Sequence, residues 1–105
     1  FARRIFVLTP QGDVIDLPED ATPVDFAYHI HSEIGNKMIK AKINGVITSL
    51  SAKLSNGDIV EVLTDKNKKS PDIAWLDFVK THLAKSKIKE SHRKHLTSWS
   101  ERLKK

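Results

Sequence analysis

The chain has 105 residues, no cysteine and a formal net charge of +5, which is enough for one modest domain with an appendage. The missing cysteine excludes a disulfide framework, a thiol nucleophile and a thiolate zinc site, and no apolar run approaches the ~18 residues of a membrane span. The charge is unevenly divided: residues 66–105 hold twelve Lys and Arg against four acids, and residues 1–65 hold six against nine. Residues 1–65 are therefore not a general polyanion binder, and the basic tail suggests RNA, an acidic partner or a membrane surface.

In chain order, RIFVLTPQGDVIDL reads as a hairpin, with Pro10 and Gly12 in the turn. ATPVDFAYHIHSEIG carries helix signals: Thr22 as cap, Pro23 at the first helical position, Asp25 beside the exposed amides and Gly35 closing the far end. The spacing of Val24, Ala27, Ile30 and Ile34 predicts the buried face of this single helix. KMIKAKINGVITS is a strand and turn in which Ile39, Ala41 and Ile43 alternate with Lys40 and Lys42, and Asn44-Gly45 signals a tight hairpin. A connector, a second Asn-Gly turn and a last strand around Val60 and Val62 follow.

The order β-β-α-β-β-β predicts an α+β, β-grasp (ubiquitin-like) fold over residues 4–65, one helix packed on a mixed sheet. Residues 66–70 read as a linker. Residues 71–105 read as a basic helical extension, opening at Ser70-Pro71 and keeping helical spacing as far as Leu96, Trp99 and Leu103. A lone basic helix has no core of its own. We expect Trp75, Phe78 or Val79 to dock on the face of the first strand that points away from the first helix, either Phe6 and Leu8 or Ile5 and Val7.

Two histidines, His29 and His31, lie on the predicted helix. At about 100° per residue, His29 falls on the solvent side among Asp25 and Glu33, and His31 on the shoulder of the apolar face. A half-buried imidazole held there beside Tyr28 suits stacking on a nucleobase or donation to a phosphate. Lys40 and Lys42 point to one side of their strand and are candidates for the RNA backbone. His92 and His95 are three apart without further ligands, so no metal site is expected. No nucleophile–base pair, glycine-rich phosphate loop or paired-carboxylate motif is present, so neither catalysis nor a cofactor is expected.

The motifs TPQGDVIDLP, TPVDFAYHIHSEIG and NGDIVEVLT, followed by WLDFVKTHLAKSKIK, closely resemble the TGS domain of the RelA/SpoT (p)ppGpp synthetase/hydrolases and the start of the helical region that follows it. The resemblance covers about residues 5–89. It implies a non-catalytic, cytoplasmic, regulatory piece of a longer protein, with hydrolase and synthetase domains upstream in cis and no membrane partner. It further implies sensing of the CCA 3′ end of uncharged tRNA on the ribosome in the stringent response, with His31 at the matching family position.

Two other readings stand beside this one. The chain could be an intramolecular interaction module restraining the catalytic domains, or the TGS domain of another RNA-linked protein, such as a threonyl-tRNA synthetase or an Obg-like GTPase. A ubiquitin-like sulfur carrier would need a terminal Gly-Gly, and the last strand runs instead into LTDKNKKSPD.

Overall fold

The structure, a computed structural model, describes residues 3–103, with side chains through residue 93. The helical spacing of Leu96, Trp99 and Leu103 and the position of the His95 ring lie outside the described side chains.

β1 (Arg4–Leu8) and β2 (Val14–Pro18) pair antiparallel. β3 (Met38–Ile43) pairs antiparallel with both β4 (Val46–Thr48) and β5 (Val60–Thr64). Asn44 at φ 53° and Gly45 at φ 84° form the β3–β4 turn, which needs two left-handed residues. A parallel bridge between Leu8 and Ile59 ties β1 to the start of β5, backed by Leu8 N–H to Asp58 O at 2.8 Å and Gly57 N–H to Phe6 O at 2.7 Å. The strands thus run β2-β1-β5-β3-β4, the mixed β-grasp sheet expected.

The predicted single helix is in fact two, α1 (Pro23–Ile30) and α2 (Ser32–Lys37). His31 is the break: extended at φ −167° and ψ 143°, it ends α1 through its N–H to Ala27 O at 3.1 Å and begins α2. Gly35 does not close the helix. It lies inside α2 because a Cβ there would sit 2.5 Å from the Tyr28 ring. The break also corrects the helical wheel: Ile30, expected in the core, is 38% exposed, and Ile34 only packs against the core's margin.

β3 departs from strict alternation as well. A bulge between Met38 and Lys40 turns Ile39 outward, while Met38 and Ala41, three apart, are both fully buried.

The extension is also two elements, a 3₁₀ helix (Ile73–Asp77) and α3 (His82–Leu103). It does not dock on the far face of β1, where Phe6 stays half exposed. Trp75, Val79, Ala84 and Ile88 pack instead with Val24, Ala27 and Tyr28 of α1 and Met38 and Ala41 of β3. Ile5, Val7, Leu17, Phe26, Leu54 and Val60 form a second cluster. α1 lies between the two, which is why its residues from Pro23 to Tyr28 are all buried. Each large apolar side chain so enclosed contributes about 1.5–3 kcal/mol.

Buried Asp25 locks these parts together. Its Oδ2 accepts from Thr22 N–H at 2.9 Å and Thr22 Oγ1 at 3.0 Å, completing a capping box on α1. The same carboxylate accepts from Lys80 N–H at 3.0 Å and from Thr81 N–H and Oγ1 at 2.8 and 2.9 Å. Thr81 Oγ1 in turn accepts from Ala84 N–H at 3.1 Å, capping the start of α3. Two smaller ties hold the extension's entry. Lys68 Nζ donates to Met38 O at 2.7 Å and lies 4.2 Å from the Trp75 ring centre, where burial lowers its pKa against the opposing charge of Asp72. The His92 Nε2 is 2.8 Å from Pro71 O.

Candidate nucleic-acid interface

His31 owes its position to the local hydrogen bonding of the helix break. Its Nδ1 accepts from Glu33 N–H at 3.0 Å, so the ring is the N-terminal cap of α2. This bond assigns the tautomer: with Nδ1 an acceptor, the neutral ring carries its proton on Nε2. The residue is exposed rather than half buried, because the backbone turns outward here instead of continuing around the wheel. The imidazole is therefore oriented by one nitrogen and presents a donor at the other.

On either side of His31 in sequence, Ile30 and Ile34 line a groove of about 460 Å³. Phe26, Val60 and Val62 extend its apolar floor, and the β1–β2 turn, Thr9–Gln11, forms its end. One wall is the edge of β5. Asn44 N–H donates to Ile59 O at 2.8 Å, Ile59 N–H donates to Asn44 Oδ1 at 2.9 Å, and Asp65 N–H donates to Lys37 O at 3.0 Å. Alternation along the strand then turns the main chain of residues 61 and 63 toward β3 and that of Val62 and Thr64 toward the groove. The result is an apolar cleft, within the ~300–1,000 Å³ range of small-ligand sites, with main-chain donors and acceptors along one side.

The other predicted residues fall elsewhere. Tyr28 is 2% exposed, with its ring against Gly35 and its hydroxyl donating to Asn36 Oδ1 at 2.7 Å. Burial pushes its phenol above the ordinary range. Its expected role as a stacking face is therefore corrected: the ring is a packing surface, enclosed because α2 folds back over it. Lys40 and Lys42 flank buried Ala41 and so point to the sheet face opposite the helices. Lys42 Nζ lies 3.8 Å from Glu61 in its cross-strand pair, while Lys40 is exposed opposite Leu63. Neither shares a surface with His31. His29 is exposed, as its angle predicted.

The β5 edge and the Ile30–Ile34 floor were missed at the sequence level. The helix break that exposes them has no proline or glycine at His31 to announce it. Among the described residues no group of three or more His, Asp or Glu could hold a metal ion, and no helix is long and apolar enough to cross a membrane.

Comparison with known proteins agrees with the fold. Residues 5–64 match the TGS domain family. The chain is 51% identical over 90 residues to a guanosine-3′,5′-bis(diphosphate) 3′-pyrophosphohydrolase of Aquifex aeolicus, covering 86% of this chain and 13% of that protein. It is 53% identical over 89 residues to a GTP pyrophosphokinase of Myxococcus xanthus, covering 85% and 12%. With the bifunctional (p)ppGpp synthase/hydrolase RelA of Mycobacterium tuberculosis it shares 48% over 89 residues, covering 84% and 12%. This chain thus spans roughly an eighth of the length of these relatives, and it belongs to the TGS domain family, as a domain of the RelA/SpoT type.

Proposed function

We propose that this chain is the non-catalytic regulatory TGS domain of a GTP pyrophosphokinase or (p)ppGpp hydrolase. In this reading it senses the CCA 3′ end of uncharged tRNA on the ribosome, in the cytoplasm, during the stringent response. The observation that carries the proposal is the capped, exposed imidazole of His31, next in sequence to Ile30, which lines an apolar groove with a main-chain edge. A single-stranded end offers unstacked bases, and a ring stacked on one is worth ~1–3 kcal/mol. Main-chain groups of Val62 and Thr64 suit the edges of a terminal base, and in this reading the site excludes an amino acid esterified to that end. Discrimination between charged and uncharged tRNA would then come from that exclusion.

The test separates the ring's two jobs. His31→Asn keeps an N-cap acceptor but removes the imidazole. In the full-length protein this variant is expected to keep its thermal stability and lose the response of synthesis to uncharged tRNA on ribosomes. A response equal to wild type would remove His31 from the mechanism.

A second reading, restraint of catalytic domains in cis, is favoured by the uncovered outer face of the sheet. Phe6, Val14, Ile47 and Ile59 are each 44–61% exposed there. Phe6→Ser with Ile59→Ser should raise synthesis in the absence of tRNA if that face is a restraint, and leave it unchanged if it is not.

A further inference from the structure

β5 is unevenly covered. On one side it pairs with β3 along its length. On the other, β1 reaches it only at the parallel bridge from Leu8 to Ile59, and the chain then turns away through Thr9–Gln11. Past that turn the main chain of Val62 and Thr64 faces the groove, and among the described residues no strand lies beside it. Residues 61–64 leave an open edge of about 13 Å at ~3.3 Å per residue.

Open edges are templates for pairing, and proteins blunt them where pairing is harmful. The two outer strands of this sheet are blunted. β4 is three residues long, and β2 carries Asp16 and ends at Pro18. The open part of β5, Glu61 to Thr64, holds neither proline nor lysine.

The surroundings of this edge specify the kind of chain that fits. Phe26, Ile30 and Ile34 come from the helices, on the side of the sheet to which Val60 and Val62 point. Side chains of an added strand alternate between two faces. Every second one would land on this apolar floor, and the others would face solvent. Among the described residues lining the groove none is cationic, and the only charge is that of Glu61. A polyanion laid along the groove finds no counter-charge. A peptide needs only the main-chain donors and acceptors of Val62 and Thr64, and a basic side chain on its outer face complements Glu61.

We propose that the open edge of β5 takes a short extended peptide as an added strand, with its alternate apolar side chains seated on Phe26, Ile30 and Ile34. The peptide shares the groove with the sensing reading but does not rest on it, since that reading seats only a terminal base here. A strand in the groove and an RNA end exclude one another.

The experiment is a titration of the full 105-residue chain with acetyl-Lys-Val-Thr-Val-Lys-Val-amide, followed by NMR and amide hydrogen exchange. Saturable binding below about 1 mM is expected, with slowed exchange at the Val62 and Thr64 amides. Only every second peptide residue turns its main chain toward β5. N-methylation of one alternate set of peptide amides should therefore abolish binding, and N-methylation of the other set should leave it. In the protein, Thr64→Pro removes a groove-facing N–H and Ile30→Asp charges the floor. Each should weaken binding about tenfold, with a cooperative thermal transition showing that the variant folds. Should Thr64→Pro not fold, Ile30→Asp and the N-methylated peptides carry the test. The proposal is overturned if binding is not saturable, if the slowed amides lie on β2 or β4, or if the two N-methylated peptides behave alike. Slowing at Val62 and Thr64 with rising protein concentration alone would give the edge to a second copy and overturn it as well. Slowing by a CCA-ended RNA but not by the peptide would overturn it and leave the sensing reading standing.

Discussion

The carboxylate of Asp25 reaches Thr81, 56 positions later, with Oδ1 accepting from the Thr81 N–H at 2.8 Å and from its hydroxyl at 2.9 Å. One buried anion thereby closes the open N-terminal ends of two helices. Among the described residues it pairs with no cation. Its charge is balanced by donors alone, an arrangement typical of carboxylates at helix starts.

Removing that anion should therefore be costly. Asp25→Ala would strand the Lys80 and Thr81 amides in the interior, where each unmet donor costs about 1–3 kcal/mol. Urea unfolding should show a loss of at least about 3 kcal/mol. Thr81→Val removes one hydroxyl donor and the α3 cap, and should cost about 1–2 kcal/mol. Equal effects of the two substitutions would mean that Asp25 serves α3 only.

The single tyrosine of the chain makes Tyr28 directly readable. In the folded state its phenol is held above the ordinary value of ~10. In the unfolded chain it loses its proton near that value. The stability associated with the neutral, buried phenol is thus fully present below pH ~10 and is lost as pH rises beyond it. Phenolate absorbance is expected to stay absent until the chain unfolds in alkali, then to appear together with the loss of helix in circular dichroism. A separate phenolate transition preceding unfolding would contradict the burial.

Gly35→Ala should destabilise by at least about 2 kcal/mol, because the added methyl meets the face of the Tyr28 ring. In a Tyr28→Ala background most of that penalty should vanish. The coupling is measurable as a double-mutant cycle in denaturant.

Helical spacing assigns both Ala27 and Ile30 to the core, and only Ala27 is there. Ile30→Asp, at a 38% exposed groove position, should cost only about 1 kcal/mol. Ala27→Asp, with no exposure, should prevent folding by burying an unpaired charge. Thermal melts of the two variants would distinguish them at once.

Much of the architecture was readable from local chemistry. Asn44-Gly45 and Pro10–Gly12 mark their turns because left-handed or preset backbone angles need those residues, and Thr22-Pro23 marks the start of α1 for a similar reason. What escaped were effects of distant packing. The break at His31 carries no local signal, since its cause includes α2 folding over Tyr28, and that closeness rather than a helix end is what requires Gly35. The bulge at Ile39 looks like ordinary alternation until Met38 is seen buried. Asp25 looks like a simple first-turn acid, because its other partners are 55 and 56 residues away. At the candidate site, His31 was found by a wheel that does not apply to it. The groove lined by Ile30 and Ile34 depends on where β1 stops pairing, which composition does not encode.

The sandwiching of α1 has a consequence for anyone cutting this chain. A version ending at Asp65 would retain every strand, yet it would uncover Val24, Ala27, Tyr28 and Met38 together and remove three of the five donors to the Asp25 oxygens. Such a fragment would expose a sticky wall in place of a finished surface, so the useful severing point lies beyond Ile88, not at the end of the sheet.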